Sequence, residues 1–339
     1  MMAATQQQIV LRELPTGQLG PEHFTRREGP VPAPGAGEIL VRTVLLSIDP
    51  ANRAWMNGPT YRPQLVAGDV MAGYALAEVI DPRDSGLAAG SVVFCDTGWQ
   101  QYAVIPTDTA VAVDVRSALP HHLSALGLTG MTAYFGLLEI GRPTAGETVV
   151  VSAAAGATGS VVGQIARIEG TRVVGIAGSQ QKRRVLEEEL GFDATVSHRS
   201  PDFDDELAAA CPDGIDVYFD NVGGTVLNSC LRLLNERGRV VCCGSVSTLD
   251  QPGPPCDPAL VPLKIITHRL RMEGFIVLDY LDQWPDAEAR LAGWIADGRL
   301  RVLEEVIDGL DQAPDALIGL LAGQNLGKRM VRVGPDPGA

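Results

Sequence analysis

The sequence predicts an α/β fold: a doubly wound parallel sheet inserted into a β-rich chain. Three observations carry this. Residues 149–163 read VVVSAAAGATGSVVG, a β-branched run followed by small residues and then a helical pattern. From Gly146 onward, apolar strand-like runs alternate with helical segments, the pattern of parallel sheets with crossover helices. Before about residue 125, short strand-like runs are separated by Pro and Gly, which suggests a small antiparallel barrel.

In chain order, the first strands fall at Ile9–Leu14, Glu38–Ile48, Tyr74–Ile80, Ser91–Phe94 and Gln101–Val104. Turns such as Pro30-Val31-Pro32-Ala33-Pro34-Gly35 and Asp81-Pro82 punctuate them. Leu123–Leu138 reads as helix around the Gly127–Gly130 break. The parallel strands are Thr148–Ser152, Arg172–Ala177, Ala194–Ser197, Asp216–Asp220 and Arg239–Cys243, with helices at Ser160–Glu169, Lys182–Leu190, Phe203–Ala210 and Val226–Leu234. After Asp282–Gly298, Val302–Ile307 and Met330–Val333 look like strands again and are expected to rejoin the first domain. The domain reading is therefore 1–125 rejoined by 302–339, with 126–301 as an insert, and a frayed tail at Gly334–Ala339.

A strand, a glycine turn and a helix N-terminus form an anion site, because free backbone N–H groups and the helix dipole face a pyrophosphate. Here the run is Ala153-x-x-Gly156-x-x-Gly159, with Ala where the usual fingerprint starts with Gly. An ordinary tight turn is the plainer alternative. The second parallel strand ends in Gly178-Ser179, and no acid follows to take up a free ribose hydroxyl. Gln180, Gln181, Lys182, Arg183 and Arg184 follow instead. Lys182 with the Ser179 hydroxyl suits a 2′-phosphate, so the expected cofactor is NADPH rather than NADH. The alternative for Lys182–Arg184 is a solvated helix start.

The chain has 339 residues, enough for two domains. Its formal net charge of −14 disfavours nucleic acid or an anionic membrane surface as partner. No apolar run is long enough to span a membrane, and the N-terminus lacks a charged segment followed by an apolar core. The cysteines Cys95, Cys211, Cys230, Cys242, Cys243 and Cys256 are scattered, as expected of reduced thiols in a cytoplasmic protein. They form no CxxC pair, and His23, His121, His122, His198 and His268 show no ligand spacing. The expected metal is none.

Several ordered blocks then stand out: Asp49-Pro50-x-x-Arg53, Gly127–Gly136, Ala153–Ser160, Leu190–Asp193, Tyr218–Gly224, Leu270–Phe275 and Asn325–Lys328. With these, the chain resembles the zinc-free medium-chain dehydrogenase/reductases, in the double-bond reductase branch of prostaglandin, alkenal and curcumin reductases. The resemblance implies a Rossmann domain inserted beside a GroES-like β-barrel catalytic domain, NADPH as cofactor and commonly a homodimer. It places pyrophosphate contacts on Gly156, Ala157, Thr158 and Gly159, and the 2′-phosphate on Lys182. The family's adenine-side Tyr is His198 here, and Asn221 closes the fourth parallel strand toward the cofactor. Cys243, Gly244, Ser245 and Leu249, with Phe275, Ile276 and Val277, are expected to flank the nicotinamide, and Asn325 to reach back from the C-terminal segment.

The chemistry so implied is hydride transfer to the β-carbon of an enal or enone, with charge developing on the carbonyl oxygen. That needs hydrogen-bond donors and a water-poor pocket. The family often has a Tyr in the loop after the fifth parallel strand; Leu249 stands there in this chain. Tyr61, in Gly58–Pro63, is the leading donor and Thr248 a weaker one, with protonation through the ribose hydroxyl and a water as the alternative. Asp49 and Arg53 either pair to shape the pocket or touch substrate, and Trp55, Met56 and Trp99 either line it or pack the core. Two further readings stay open: a quinone or aldehyde reductase on the same fold, and a protein that binds NADPH without turnover.

Overall fold

The computed structural model describes residues 4–115, 117–250, 257 and 259–337. The chain divides into two units, the first comprising the chain up to Leu123, Glu304–Asn325 and the chain from Arg329 onward. The second comprises Ser124–Leu303 and Leu326–Lys328.

The first unit opens with β1 (Thr5–Leu11) paired antiparallel with β2 (Phe24–Pro30). β2 reads FTRREGP, and its charged, mostly exposed face hides the strand from an apolar-periodicity reading. β3 (Glu38–Ser47), β4 (Tyr74–Asp81), β5 (Val92–Asp96), β6 (Tyr102–Pro106) and β7 (Val111–Ala112) follow, with helix α1 (Pro50–Asn57) after β3. β3 is the hub of the antiparallel sheet. β4 lies on one side of it, and β6 pairs along Glu38–Arg42 on the other.

The second unit holds the parallel sheet: β8 (Thr148–Ser152), β9 (Arg172–Ile176), β10 (Ala194–Val196), β11 (Ile215–Asp220), β12 (Leu234–Cys242) and β13 (Arg271–Gly274), in the order β10-β9-β8-β11-β12-β13. The reversal beside β8 is the switch point at which such sheets bind ligands. Helices α2 (Leu128–Phe135), α3 (Ala157–Ile168), α4 (Gln180–Arg184), α5 (Phe203–Ala210), α6 (Gly224–Leu233), α7 (Leu260–His268) and α8 (Trp284–Ala296) belong to this unit. Val149, Val150 and Val151 are fully buried, as a central parallel strand requires.

The expected single helix at Leu123–Leu138 is broken. A 3₁₀ turn at Leu119–Leu123 precedes α2, and a π-helical turn over Gly136–Gly141 follows it. Gly130 explains the tight entry, since a Cβ there would lie 1.8 Å from the Ala125 carbonyl oxygen. α3 is tied to the strands behind it by Phe192, whose ring would collide with a Cβ at Gly163 at 1.9 Å.

The chain then returns through β14 (Glu304–Asp308), α9 (Ala313–Leu321) and β15 (Lys328–Arg332). β15 pairs with β3 at Leu45–Ser47, beyond the stretch taken by β6. Leu326–Lys328 belongs to the second unit. There the Gly327 N–H donates to the Ala155 carbonyl at 2.8 Å and the Lys328 N–H to the Leu303 carbonyl at 2.8 Å.

In the first unit His121 Nδ1 and Glu304 Oε1 lie 2.9 Å apart, half-sheltered from water. That hydrogen bond raises the His121 pKa above its ordinary value, outweighing burial. A raised folded-state pKa contributes stability that is full below the unfolded value, about 6.5, and is lost as pH rises through the folded value. His121→Gln is expected to cost roughly 1 kcal/mol below pH 6 and much less by pH 9, read as the gap between urea midpoints of the two proteins. A gap independent of pH would remove the pair from this role.

Candidate active site

The glycine turn has the predicted shape. β8 ends at Ser152, the chain turns through Ala153–Ala155, and α3 starts after Gly156 with no side chain capping it. Ala153 has φ +48°, the left-handed conformation that the usual first glycine adopts freely and that costs an L-residue about 1–2 kcal/mol. Gly159 is required by space: its Cβ would meet the Ala153 carbonyl oxygen at 2.5 Å and the Ala154 Cα at 2.9 Å. Gly156 would meet the same oxygen at 3.2 Å. In the first turn of α3 the N–H groups of Thr158 and Gly159 have no intrahelical partner and are left for an outside anion, as a pyrophosphate needs.

At the end of β9, Ser179 caps the short helix α4, its Oγ accepting the Lys182 N–H at 3.3 Å. The Ser179 hydroxyl proton stays free to donate. His198 and Arg199 come to the same place from the loop after β10, since a Cβ at Gly178 would lie 2.7 Å from His198 Cε1 and 3.0 Å from Arg199 Nε. Both are exposed. Partial desolvation by neighbouring atoms first, then the charges of Arg199 and Lys182, lowers the His198 pKa from its ordinary value. The Arg199 side chain makes no hydrogen bond or ion pair among the described residues. Sequence reasoning missed Arg199, although its place directly after His198 was the available signal.

Asn221 sits at the carboxyl end of β11, its N–H donating to Ser152 Oγ at 2.9 Å and its Nδ2 to the Ser152 carbonyl at 2.8 Å. Beside it an open cleft of about 580 Å³ is lined by Cys242, Cys243, Gly244, Ser245, Gly274, Phe275, Ile276 and Asp279. The structure thus brings Cys243, Gly244, Ser245, Phe275 and Ile276 together, as the sequence reading expected of a nicotinamide site. Val277 is buried behind them, and the Phe275 ring packs where a Cβ on Gly136 would stand. Burial, with the Asp220 charge adding, pushes the thiols of Cys242 and Cys243 up to about 11 and about 12. They are apolar walls rather than nucleophiles at neutral pH. In the loop that follows, Thr248 Oγ1 donates to the Ser245 carbonyl at 2.9 Å, so its hydroxyl closes the local turn. Leu249 is half-buried there. Cys256 lies outside the described residues.

In the first unit Tyr61 is 50% exposed and stands edge-on to Trp55 at 6.3 Å. Trp55 in turn meets Tyr74 edge-on at 6.1 Å, and Tyr74 stacks on Phe94 at 5.3 Å. The Arg62 guanidinium lies 4.5 Å above the Trp55 ring and donates to Asp96 at 2.8 Å. Burial raises the Tyr61 phenol, with the Asp49 charge adding to it, so it remains a protonated donor throughout the neutral range. Asp49 precedes α1 and accepts from the Ser47 hydroxyl. Arg53 is buried and holds Asn57 and the Gly17 carbonyl. Trp55, Met56 and Trp99 are core residues. Asn325 closes the segment that runs back from β14, ahead of Gly327.

A parallel sheet with a glycine turn at its switch point and a basic cluster one strand further defines a dinucleotide-binding oxidoreductase fold. A family model described as the N-terminal domain of oxidoreductase matches residues 7–113, and one described as zinc-binding dehydrogenase matches residues 157–293. The NADPH-dependent curcumin reductase of Escherichia coli is 41% identical over 333 residues, covering 96% of each chain. The NADP(+)-dependent 2-alkenal reductase of Nicotiana tabacum is 38% identical over 309 residues, covering 88% of each. The crystal structure of CurA in complex with NADPH from Vibrio vulnificus superposes with a TM-score of 0.92 at 37% identity, over 97% of this chain and 99% of that one. The chain belongs to the medium-chain dehydrogenase/reductase family, in the branch that holds these reductases.

The second description names zinc. Among the described residues no group of three or more His, Cys, Asp or Glu side chains comes together to hold a metal ion. Cys211 and Cys230 are core thiols pushed up by burial, whereas zinc takes thiolates.

Proposed function

We propose that this protein is an NADPH-dependent reductase of carbon–carbon double bonds conjugated to an aldehyde or ketone. The observation that carries the reading is the pairing of an open pyrophosphate turn with Ser179, Lys182, His198 and Arg199 at the end of β9. The double-bond specificity is supported by the full-length likeness to reductases of curcumin and of 2-alkenals. When bound, NADPH supplies the hydride. Gly156, Ala157, Thr158 and Gly159 would hold its pyrophosphate, and Lys182 and Arg199 its 2′-phosphate, with Ser179 and His198 donating hydrogen bonds. Asn221, Gly244, Ser245, Phe275 and Ile276 would frame the nicotinamide end, with Asn325 as a further proposed cofactor contact. Cys243 and Val277 keep that end dry, which strengthens every polar contact made there.

For the substrate, the Tyr61 phenol is the donor for the carbonyl oxygen as it gains charge, and Asp49 and Arg53 shape the wall behind it. Thr248 is the lesser candidate because its proton is already engaged. Leu249, where the family often has Tyr, leaves an apolar side chain against the substrate. The decisive assay follows loss of NADPH absorbance with a panel of enals, enones, quinones and saturated aldehydes. Turnover of enals and enones alone supports the reading; turnover of quinones alone would replace it.

The protein is further read as a homodimer. β13 is the outermost strand of the parallel sheet, and Leu263 and Ile266 of the neighbouring helix α7 are 57% and 73% exposed. An open strand edge beside exposed apolar side chains suits a second copy of the chain. Light scattering that returns the monomer mass at working concentration would overturn this.

Lys182→Ala is expected to raise the NADPH dissociation constant about 30-fold, and Arg199→Ala about tenfold, with NADH affinity unchanged. Fluorescence titration of both coenzymes checks this, and an unaltered NADPH/NADH ratio would take the residue out of the phosphate site. Tyr61→Phe is expected to lower kcat about 100-fold with the NADPH dissociation constant unmoved. Wild-type turnover in that variant would leave solvent as the proton source.

A further inference from the structure

Beneath Asn221 lies Asp220, a buried carboxylate that makes no ion pair among the described residues. Asp220 is 3% exposed, and its Oδ1 accepts the Tyr218 hydroxyl at 2.8 Å, the Gly223 N–H at 2.8 Å, the Val222 N–H at 3.0 Å and the Ser152 hydroxyl at 3.3 Å. Its carbonyl oxygen takes the N–H groups of Cys243 at 2.9 Å and Gly244 at 3.0 Å. One residue therefore pins the carboxyl ends of β8, β11 and β12 to each other. A carboxylate placed so deep is tolerated only when it is densely hydrogen-bonded.

The same cluster grips Asn221 twice. Ser152 accepts the Asn221 N–H on its hydroxyl and the Asn221 Nδ2 on its carbonyl. With Nδ2 so engaged, the carboxamide cannot rotate freely, and its Oδ1 has no partner among the described residues. Tyr218 is fully buried, and burial drives its phenol well above its ordinary value, so it stays a donor. The other titratable groups packed around the carboxylate are the thiols of Cys230 on α6 and of Cys242 and Cys243 at the end of β12, all neutral at physiological pH.

We propose that Tyr218, Asp220 and Ser152 are positioning residues that fix the Asn221 carboxamide with Oδ1 presented to the nicotinamide half of the dinucleotide. The proposal rests on the cofactor reading above. It differs from a purely structural role in one respect: their contribution to coenzyme binding passes through Asn221, so it vanishes when Asn221 is gone.

A double-mutant cycle tests this with Tyr218→Phe, which removes one hydroxyl, and Asn221→Ala. NADPH dissociation constants are measured by fluorescence titration, and thermal midpoints are recorded for each protein. Tyr218→Phe is expected to weaken NADPH binding about fivefold in the wild-type background and less than twofold in the Asn221→Ala background. The same factor in both backgrounds would overturn the proposal. Should Tyr218→Phe fail to fold, Ser152→Ala runs the same cycle with the same criterion. A wild-type protein that binds no NADPH would sink the cofactor reading itself, whereas binding with an additive cycle would sink only the positioning role.

Discussion

The close approach of helix α3 to the Ala153 carbonyl is the constraint on which the nucleotide unit depends. Only a residue without a side chain fits at Gly159, because the nearest atoms are backbone and cannot swing away. That approach sets α3 directly over the end of β8 and leaves its first N–H groups facing outward. The turn achieves it with an Ala in a conformation that favours Gly, so part of the unit's stability is held in local strain. What offsets the strain is the packing around it: the fully buried valines of β8 below, and the Phe192 ring lodged against Gly163 behind.

The carboxyl edge of the sheet is organised by a second kind of constraint, which is polar. Asp220, Ser152 and Tyr218 bring buried donors and acceptors into register, and each group meets another's need. Networks of this sort specify one arrangement because partial satisfaction is costly in a low-dielectric interior. The apolar cleft beside them and the hydrogen-bonded rim are therefore complementary. The walls are mainly apolar, and the rim carries the hydrogen-bonded groups.

Much of this was legible in the sequence. The parallel strands, the glycine turn and the basic residues after β9 follow from local rules: β-branched runs for buried strands, glycine for close approach, cations for phosphate. The elements that escaped obey non-local ones. β2 is charged and exists because β1 lies beside it. α1, α7 and α9 are short, and tertiary packing decides them. The break between Leu123 and α2 needs the Ala125 carbonyl in view before Gly130 makes sense. At the site, Lys182 was visible from spacing. Arg199 and Asp220 were not, because their meaning depends on what the loop after β10 and the end of β8 bring next to them.

The hydrogen bond from Gly327 to the Ala155 carbonyl carries a consequence for biosynthesis. Ala155 and Gly327 stand far apart in the sequence, so the turn after β8 is translated well before one of its backbone partners. A ribosome-tethered chain can assemble β8, α3 and β9 early, but that carbonyl waits for the C-terminal segment to arrive. The same late segment delivers β15 to β3. The turn after β8 is thus completed only once the segment around Gly327 has been made.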